Sequence, residues 1–380
     1  MQPVSKLPSV GTTIFSVMSR LAAQHEAINL SQGFPNYSSD QRLIDLVTRH
    51  MRAGHNQYAP MPGLPLLRQR IADKLQRSHG ITVDPDEELN VTAGATQAIF
   101  TALSVLIHAD DEVITFEPAY DAYRPAIELF GGKPVIYQLE GPDFTVDWQE
   151  VGQLITPRTR MIIVNTPHNP TGTILTEQDM KALQELVSGS DIWVLSDEVY
   201  EHLIYDAATH ESILRYPELR KRGIATYSFG KTFHNTGWKI GYVVGPPAFM
   251  TEFRKVHQYN VFAVNTPMQH ALADYLADPG TYEGLPAFYQ RKRDLFADLM
   301  ESTPLQPVPC RGTYFQCFEY GHLSDESDMD FASRLTKEYG VAAIPVSAFN
   351  ASGRDDKLIR LCFAKTDEVL EQAGKRLGRL

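Results

Sequence analysis

The stretch Ser228-Phe229-Gly230-Lys231-Thr232 puts one lysine among glycine, hydroxyl and aromatic residues, just after a run that reads as a strand. A lysine amine forms an imine with a carbonyl carbon. Cofactors that use this chemistry also need an acidic partner for their ring nitrogen. Asp197, in Ser196-Asp197-Glu198-Val199-Tyr200, follows the apolar run Ile192-Trp193-Val194-Leu195. A carboxylate at the end of a buried strand is costly unless paired, and a protonated ring nitrogen would pair it. The plainer alternative is that Asp197 caps a helix. Tyr200, three residues on, could donate to a ring oxygen.

Other residues with chemical potential also stand at strand ends. Gly94-Ala95-Thr96 separates a strand from a helix, where backbone N–H groups receive anions. It could equally be a tight turn with a helix cap. Ser228, Lys231 and Lys239 could add a hydroxyl and cations to the same anion. Tyr120 follows a strand and a proline, so it could stack on a flat ring or fill the core. Asn169 sits in Asn165-Thr166-Pro167-His168-Asn169-Pro170-Thr171-Gly172, where Pro170 restricts it to extended backbone and stiffens the turn. His168 reads as structural. Arg360, in Leu358-Ile359-Arg360-Leu361-Cys362-Phe363, is an arginine between apolar neighbours. Either a structural salt bridge or a substrate carboxylate would satisfy it. Phe229-Gly230-Lys231-Thr232 also looks like the end of a phosphate-binding P-loop. That motif needs glycine at position 225, which is alanine.

The elements that must position these groups alternate. Seven apolar runs begin near residues 88, 111, 134, 159, 191, 223 and 238, and most are spaced by helical patterns. Valine-, isoleucine- and leucine-rich runs in that arrangement predict an α/β three-layer sandwich with a mostly parallel seven-stranded sheet. After a long helix over 285–301, strands and helices segregate into a small α+β unit. The expected division is a large domain over 40–285 and a small domain from 1–39 and 286–380. The net charge of −11 argues against nucleic acid or an anionic membrane as partner. The three cysteines have neither disulfide-framework nor zinc-finger spacing, and no metal site is expected. With no signal-peptide pattern at the N-terminus and no apolar run of spanning length, the expected location is cytoplasmic.

Taken in order, Ala93-Gly-Ala-Thr, Asn169-Pro-Thr-Gly, Ser196-Asp-Glu-Val-Tyr and Ser228-Phe-Gly-Lys resemble the pyridoxal-phosphate aminotransferases of class I and II, fold type I, over nearly the whole chain. Asn56-Gln-Tyr-Ala-Pro-Met-Pro-Gly and Thr236-Gly-Trp-Lys-Ile-Gly-Tyr are similar to the methionine, kynurenine and glutamine transaminase branch. The resemblance implies pyridoxal 5′-phosphate as cofactor, joined to Lys231 as a Schiff base. It implies Asp197 on the pyridine nitrogen, Asn169 and Tyr200 on the ring hydroxyl oxygen, and Tyr120 stacked on the ring. Ala95, Thr96, Ser228 and Lys239 would bind the phosphate, with Tyr58 reaching across a homodimer interface. Arg360 would hold the substrate carboxylate, helped by Asn169 and the backbone of Gly33. Lys239 replaces an arginine found in many relatives, keeping the charge and losing the fork geometry. The implied reaction moves an α-amino group from an amino acid to a 2-oxo acid. Methionine is the expected donor, with aromatic amino acids, histidine, glutamine and kynurenine open. A carbon–sulfur β-lyase on the same fold is the alternative. Phe34, Tyr37, Tyr58, Tyr120, His234 and Phe262 are the expected side-chain pocket, in which sulfur–aromatic contacts would be favourable.

Overall fold

The computed structural model describes residues 4–380. Among these, the strands form one seven-stranded, one four-stranded and one two-stranded sheet. The large sheet runs Leu89–Thr92, Gly241–Val244, Gly223–Ser228, Trp193–Asp197, Thr159–Asn165, Glu112–Glu117, Lys133–Gln138 across its width. Gly241–Val244 is antiparallel to both of its neighbours, and the other pairings are parallel. The alternation of Thr159–Asn165 explains the layering. Met161 and Ile163 enter one apolar cluster, with Ala98, Leu103 and Phe253 of the helices Ala95–Leu106 and Pro247–Asn260. Ile162 and Val164 enter the other, with Met180 and Leu183 of the helix Glu177–Val187. A strand apolar on both faces is stable only between two helix layers.

The seventh run begins later than its apolar pattern suggests. Thr236–Trp238 is a single 3₁₀ turn, Lys239 adopts a left-handed backbone (φ +56°), and pairing starts at Gly241. The left-handed residue turns the chain so that Gly241 enters between two strand ends.

The four-stranded sheet is antiparallel, ordered Ile344–Pro345, Leu358–Cys362, Phe315–Glu319, Gln306–Pro307. Near the N-terminus, Ile28–Asn29 pairs in parallel with Val341–Ala342. The backbone N–H of Cys362 also donates to Leu30 O at 2.8 Å. Residues 28–30 are thereby tied to the C-terminal strands, which brings Gly33 beside Arg360. Among the described residues no helix is long and apolar enough to cross a membrane.

Candidate active site

Four neighbouring strands end on one edge of the large sheet. Asn165, Asp197 and Ser228 are last residues of their strands, and Gly241 opens the antiparallel one opposite Thr92 and Ser228. In open α/β sheets the crevice beyond such ends is where ligands sit. Here it is a cavity of about 210 Å³ bordered by Lys231, Asp197, Asn169, Tyr200, Tyr120 and Arg360. Gly33, Ala95, Thr96, Ser228 and Lys239 also face it. Residues separated by up to 327 positions are thus brought to one volume.

Lys231 Nζ donates to Tyr314 Oη at 3.0 Å and to Gly33 O at 3.3 Å. Burial pushes its amine down to about 8, well below the ordinary lysine range. Asp197 is 4% exposed. Its Oδ2 accepts from Tyr123 Oη at 2.7 Å, and its other oxygen from Val199 N at 3.4 Å. Among the described residues no lysine, arginine or histidine forms an ion pair with it. Burial pushes its carboxyl up to about 6, against the hydrogen bond from Tyr123. The Asp197 backbone is braced by its neighbour strand, since Asn165 Nδ2 donates to Asp197 O at 2.8 Å. Asn165 Oδ1 in turn accepts from Asn169 N at 2.8 Å, which sets the next residue of the site.

Arg360 has no exposed surface. Nη1 donates to Asn169 Oδ1 at 2.7 Å and Nη2 to Ser31 O at 3.2 Å. The guanidinium lies 3.8 Å from the centre of the Phe315 ring, while Nε has no partner. A buried guanidinium with no salt bridge and one donor unused, on a residue that borders a cavity, is a site for an anion.

A second anion cradle lies at the helix Ala95–Leu106. Its first amides have no intrahelical acceptor. Gly94, at φ +78°, lets Lys239 approach: a Cβ there would sit 3.5 Å from Lys239 Nζ. Gly241 packs against the same turn, and a Cβ on it would lie 3.0 Å from Ala95 N and 2.4 Å from Tyr227 O. Helix N-terminus, lysine amine and the Ser228 hydroxyl converge there. Thr96 Oγ1 is within 3.4 Å of Tyr120 Oη, which carries the cradle over to that ring.

Tyr58 stands apart. It is 81% exposed, packs edge-on to Phe262 at 5.1 Å, and does not border the cavity of its own chain. In the expected side-chain pocket, Phe34 and Tyr120 border the cavity. Tyr37 and His234 instead pack on each other at 4.9 Å, with Tyr37 Oη donating to Tyr289 Oη. His168 is buried, bonded to Thr171 Oγ1 and pushed down to about 4 by burial, in keeping with a structural role. Tyr123, Tyr314 and Phe315 are site neighbours that sequence reasoning missed. Tyr123 lies one helical turn after Tyr120, a usable signal. Tyr314 and Phe315 lie on the far sheet, and nothing local marks them.

A three-layer sandwich with a partly buried lysine, a buried carboxylate and two candidate anion sites at the carboxyl edge of its sheet is the architecture of fold type I pyridoxal-phosphate enzymes. The Aminotransferase class I and II family matches residues 25–377, and the chain belongs to that family. It is 50% identical over 379 residues to the methionine aminotransferase of Escherichia coli K12, covering all of this chain and 98% of that one. It is 32% identical to mouse kynurenine–oxoglutarate transaminase 1, over 94% of this chain and 93% of that one. Among solved structures, an E. coli protein described as having a methionine aminotransferase function superposes with a TM-score of 0.98 at 49% identity, covering both chains completely. The N-succinyldiaminopimelate aminotransferase of Mycobacterium tuberculosis superposes at 0.94 with 35% identity, also over both whole chains. The chain is a pyridoxal-phosphate-dependent aminotransferase.

The cavity fits that cofactor. Asp197 is a buried carboxylate lacking a cation, which a protonated pyridine nitrogen would provide. Gly94, Lys239 and the helix N-terminus form a cradle for a phosphate that a side chain at position 94 would narrow.

Proposed function

We propose that this chain transfers the α-amino group of methionine, and of aromatic amino acids, histidine or glutamine, to a 2-oxo acid. The observation that carries this reading is the cavity shared by Lys231, the buried carboxylate of Asp197, which has no cation beside it, and the buried guanidinium of Arg360, whose Nε has no partner. The similarity to the E. coli methionine aminotransferase supports methionine as donor.

When bound, pyridoxal phosphate supplies the electron sink that lets an amino acid lose its Cα proton. Lys231 Nζ would hold the cofactor and, as general base and acid, would take and return that proton. Asp197 keeps the ring nitrogen protonated, with Tyr123 fixing the carboxylate. Asn169 and Tyr200 would hold the ring hydroxyl oxygen, and Tyr120 would offer its face to the ring. Ala95 and Thr96 amides, Ser228 and Lys239 hold the phosphate. Arg360, steadied by Asn169 and Phe315, orients the substrate carboxylate, beside the Gly33 backbone. Phe34 and Tyr120 offer an aromatic wall to a thioether or ring. Cys317 and Cys362 are buried free thiols on the antiparallel sheet.

The proposal extends to a cytoplasmic homodimer in which Tyr58 completes the partner's phosphate site, a role its 81% exposure supports. It extends also to a small domain of 1–39 and 286–380, supported by the pairing of Ile28–Asn29 with Val341–Ala342. The test mixes cofactor-loaded protein with single amino acids and follows the visible absorbance of the lysine-linked cofactor. Methionine is expected to bleach it fastest and to yield the 2-oxo acid. Pyruvate and ammonia from cysteine conjugates without an acceptor would instead make the chain a β-lyase. Lys231→Ala is expected to fold yet lose at least about 10³-fold in turnover, and full transaminase activity in it would overturn the reading.

A further inference from the structure

Three imidazoles cluster on the outside of the molecule, away from the residues of the cavity. His50 lies in the last turn of the helix Gln41–Arg52, His55 just beyond it, and His270 in the helix Thr266–Tyr275 packed alongside. The local chain path explains the first two. Gly54, at φ +89°, ends the helix in a left-handed turn, with Gly54 N donating to Met51 O at 3.3 Å and His55 N to His50 O at 3.1 Å. This pair of reversed bonds is the Schellman motif, which brings the two side chains at its ends together. His270 then stacks on both, with ring centres 3.9 Å from His55 and 5.0 Å from His50.

One ligating nitrogen from each ring lies within 4.8 Å of the others. The ring of His50 is already oriented. Asp274 Oδ2 lies 2.9 Å from Nε2, and a carboxylate only accepts, so the proton sits on Nε2. That leaves Nδ1 as a lone-pair donor, and it is buried with no hydrogen-bond partner. A carboxylate behind a histidine is the arrangement that fixes tautomer and raises ligand basicity in metal sites. Asp274 also pairs with Arg49, so the local charges nearly balance and the site does not begin strongly positive.

We propose that His50, His55 and His270 form a three-imidazole site for a divalent first-row transition ion of the zinc class. Imidazole nitrogens select zinc, nickel, cobalt or copper over magnesium and calcium. Three such ligands leave a fourth, tetrahedral position for water. Nitrogens bound at about 2.0–2.1 Å lie roughly 3.3 Å apart in that geometry, so the cluster must contract. His55, exposed and just past the helix end, has the freedom to swing inward. The ion would clasp the base of the loop carrying Tyr58 to the helix Thr266–Tyr275, where Thr266 Oγ1 already donates to Gln57 O at 2.6 Å.

The test uses tag-free, chelator-treated, cofactor-loaded full-length protein. Calorimetric titration with zinc chloride at pH 7.5 is expected to show one ion per chain with micromolar or tighter affinity. His55→Ala and His270→Ala are each expected to weaken it at least tenfold, and Asp274→Asn by about 10–100-fold. Cobalt(II) should give the visible bands of a tetrahedral nitrogen site in the wild type and lose them in His55→Ala. Since His55 is exposed, that variant keeps the fold, which its unchanged circular dichroism would verify. No saturable zinc binding by the wild type, or equal affinity in His55→Ala, would overturn the proposal.

Discussion

At the scale of single residues, Asp197 and Lys231 illustrate how burial prepares a site. Both lie in low dielectric, and burial moves each toward its neutral form: the acid up to about 6, the amine down to about 8. The consequence for stability has a definite sign. The carboxyl's folded value lies above its unfolded one, so its contribution is full below about pH 4 and is lost as pH rises through 6. At neutral pH the cofactor-free protein therefore carries a cost of roughly 2–3 kcal/mol at Asp197. A protonated ring nitrogen removes that cost. The thermal stabilisation on adding pyridoxal phosphate should thus grow between pH 5 and pH 7, and grow less in Asp197→Asn. Thermal melts of both proteins at the two pH values check this, and identical growth in both would dismiss Asp197 as the partner of the ring.

At the scale of elements, the site depends on three chain segments touching without side chains between them. Gly241 lets the antiparallel strand pass beside Tyr227 O and Ala95 N. Gly241→Ala forces a methyl into that gap. The expected cost is about 1–3 kcal/mol by urea denaturation, together with weaker cofactor retention, because the Ala95 amide is displaced from the cradle. A variant with wild-type cofactor affinity would mean that the turn's position does not set the phosphate site. Neither distance was legible in the sequence. The strands themselves were, because Thr159–Asn165 and Gly223–Ser228 are short β-branched runs with clear limits. The start of the last strand was misread, since Trp238-Lys239-Ile240 looks apolar enough to be strand and only the left-handed Lys239 breaks it.

At the scale of the whole molecule, a buried ionic cluster locks a helix to the turn after Asp197. Lys74 Nζ donates to Glu201 Oε1 at 2.6 Å with both side chains almost fully buried, and His79 Nε2 lies 2.6 Å from Oε2. Burial alone would push the Glu201 carboxyl up, but Lys74, His202 and His79 hold it well below its usual range. Lys74→Met leaves that carboxylate without its cation, an expected loss of about 3–5 kcal/mol in chemical denaturation. A loss under 1 kcal/mol would show the histidines suffice. The proposed dimer has its own test. Tyr58→Ala and Lys231→Ala chains are each expected to be impaired, yet hybrids assembled from both should regain activity. One of the two sites in each hybrid then holds an intact Lys231 and the other chain's Tyr58. Hybrids no better than their parents would remove Tyr58 from the partner's site.

Local chemistry in the amino-acid order was sufficient to mark Lys231, Asp197, Asn169 and Arg360, because each is a polar group set against an apolar run or a rigid turn, where its presence demands a reason. Their assembly was not local. Tyr314 reaches Lys231, and Phe315 supports Arg360, only because the antiparallel sheet folds against the carboxyl edge of the parallel one. Tyr123 caps Asp197 across 74 positions, and the three imidazoles meet only when two helices pack. Pattern and propensity act over a few residues and so fix elements and their exposed ends. Distances between side chains far apart in the chain follow from close packing of the whole, and only the tertiary structure decided them.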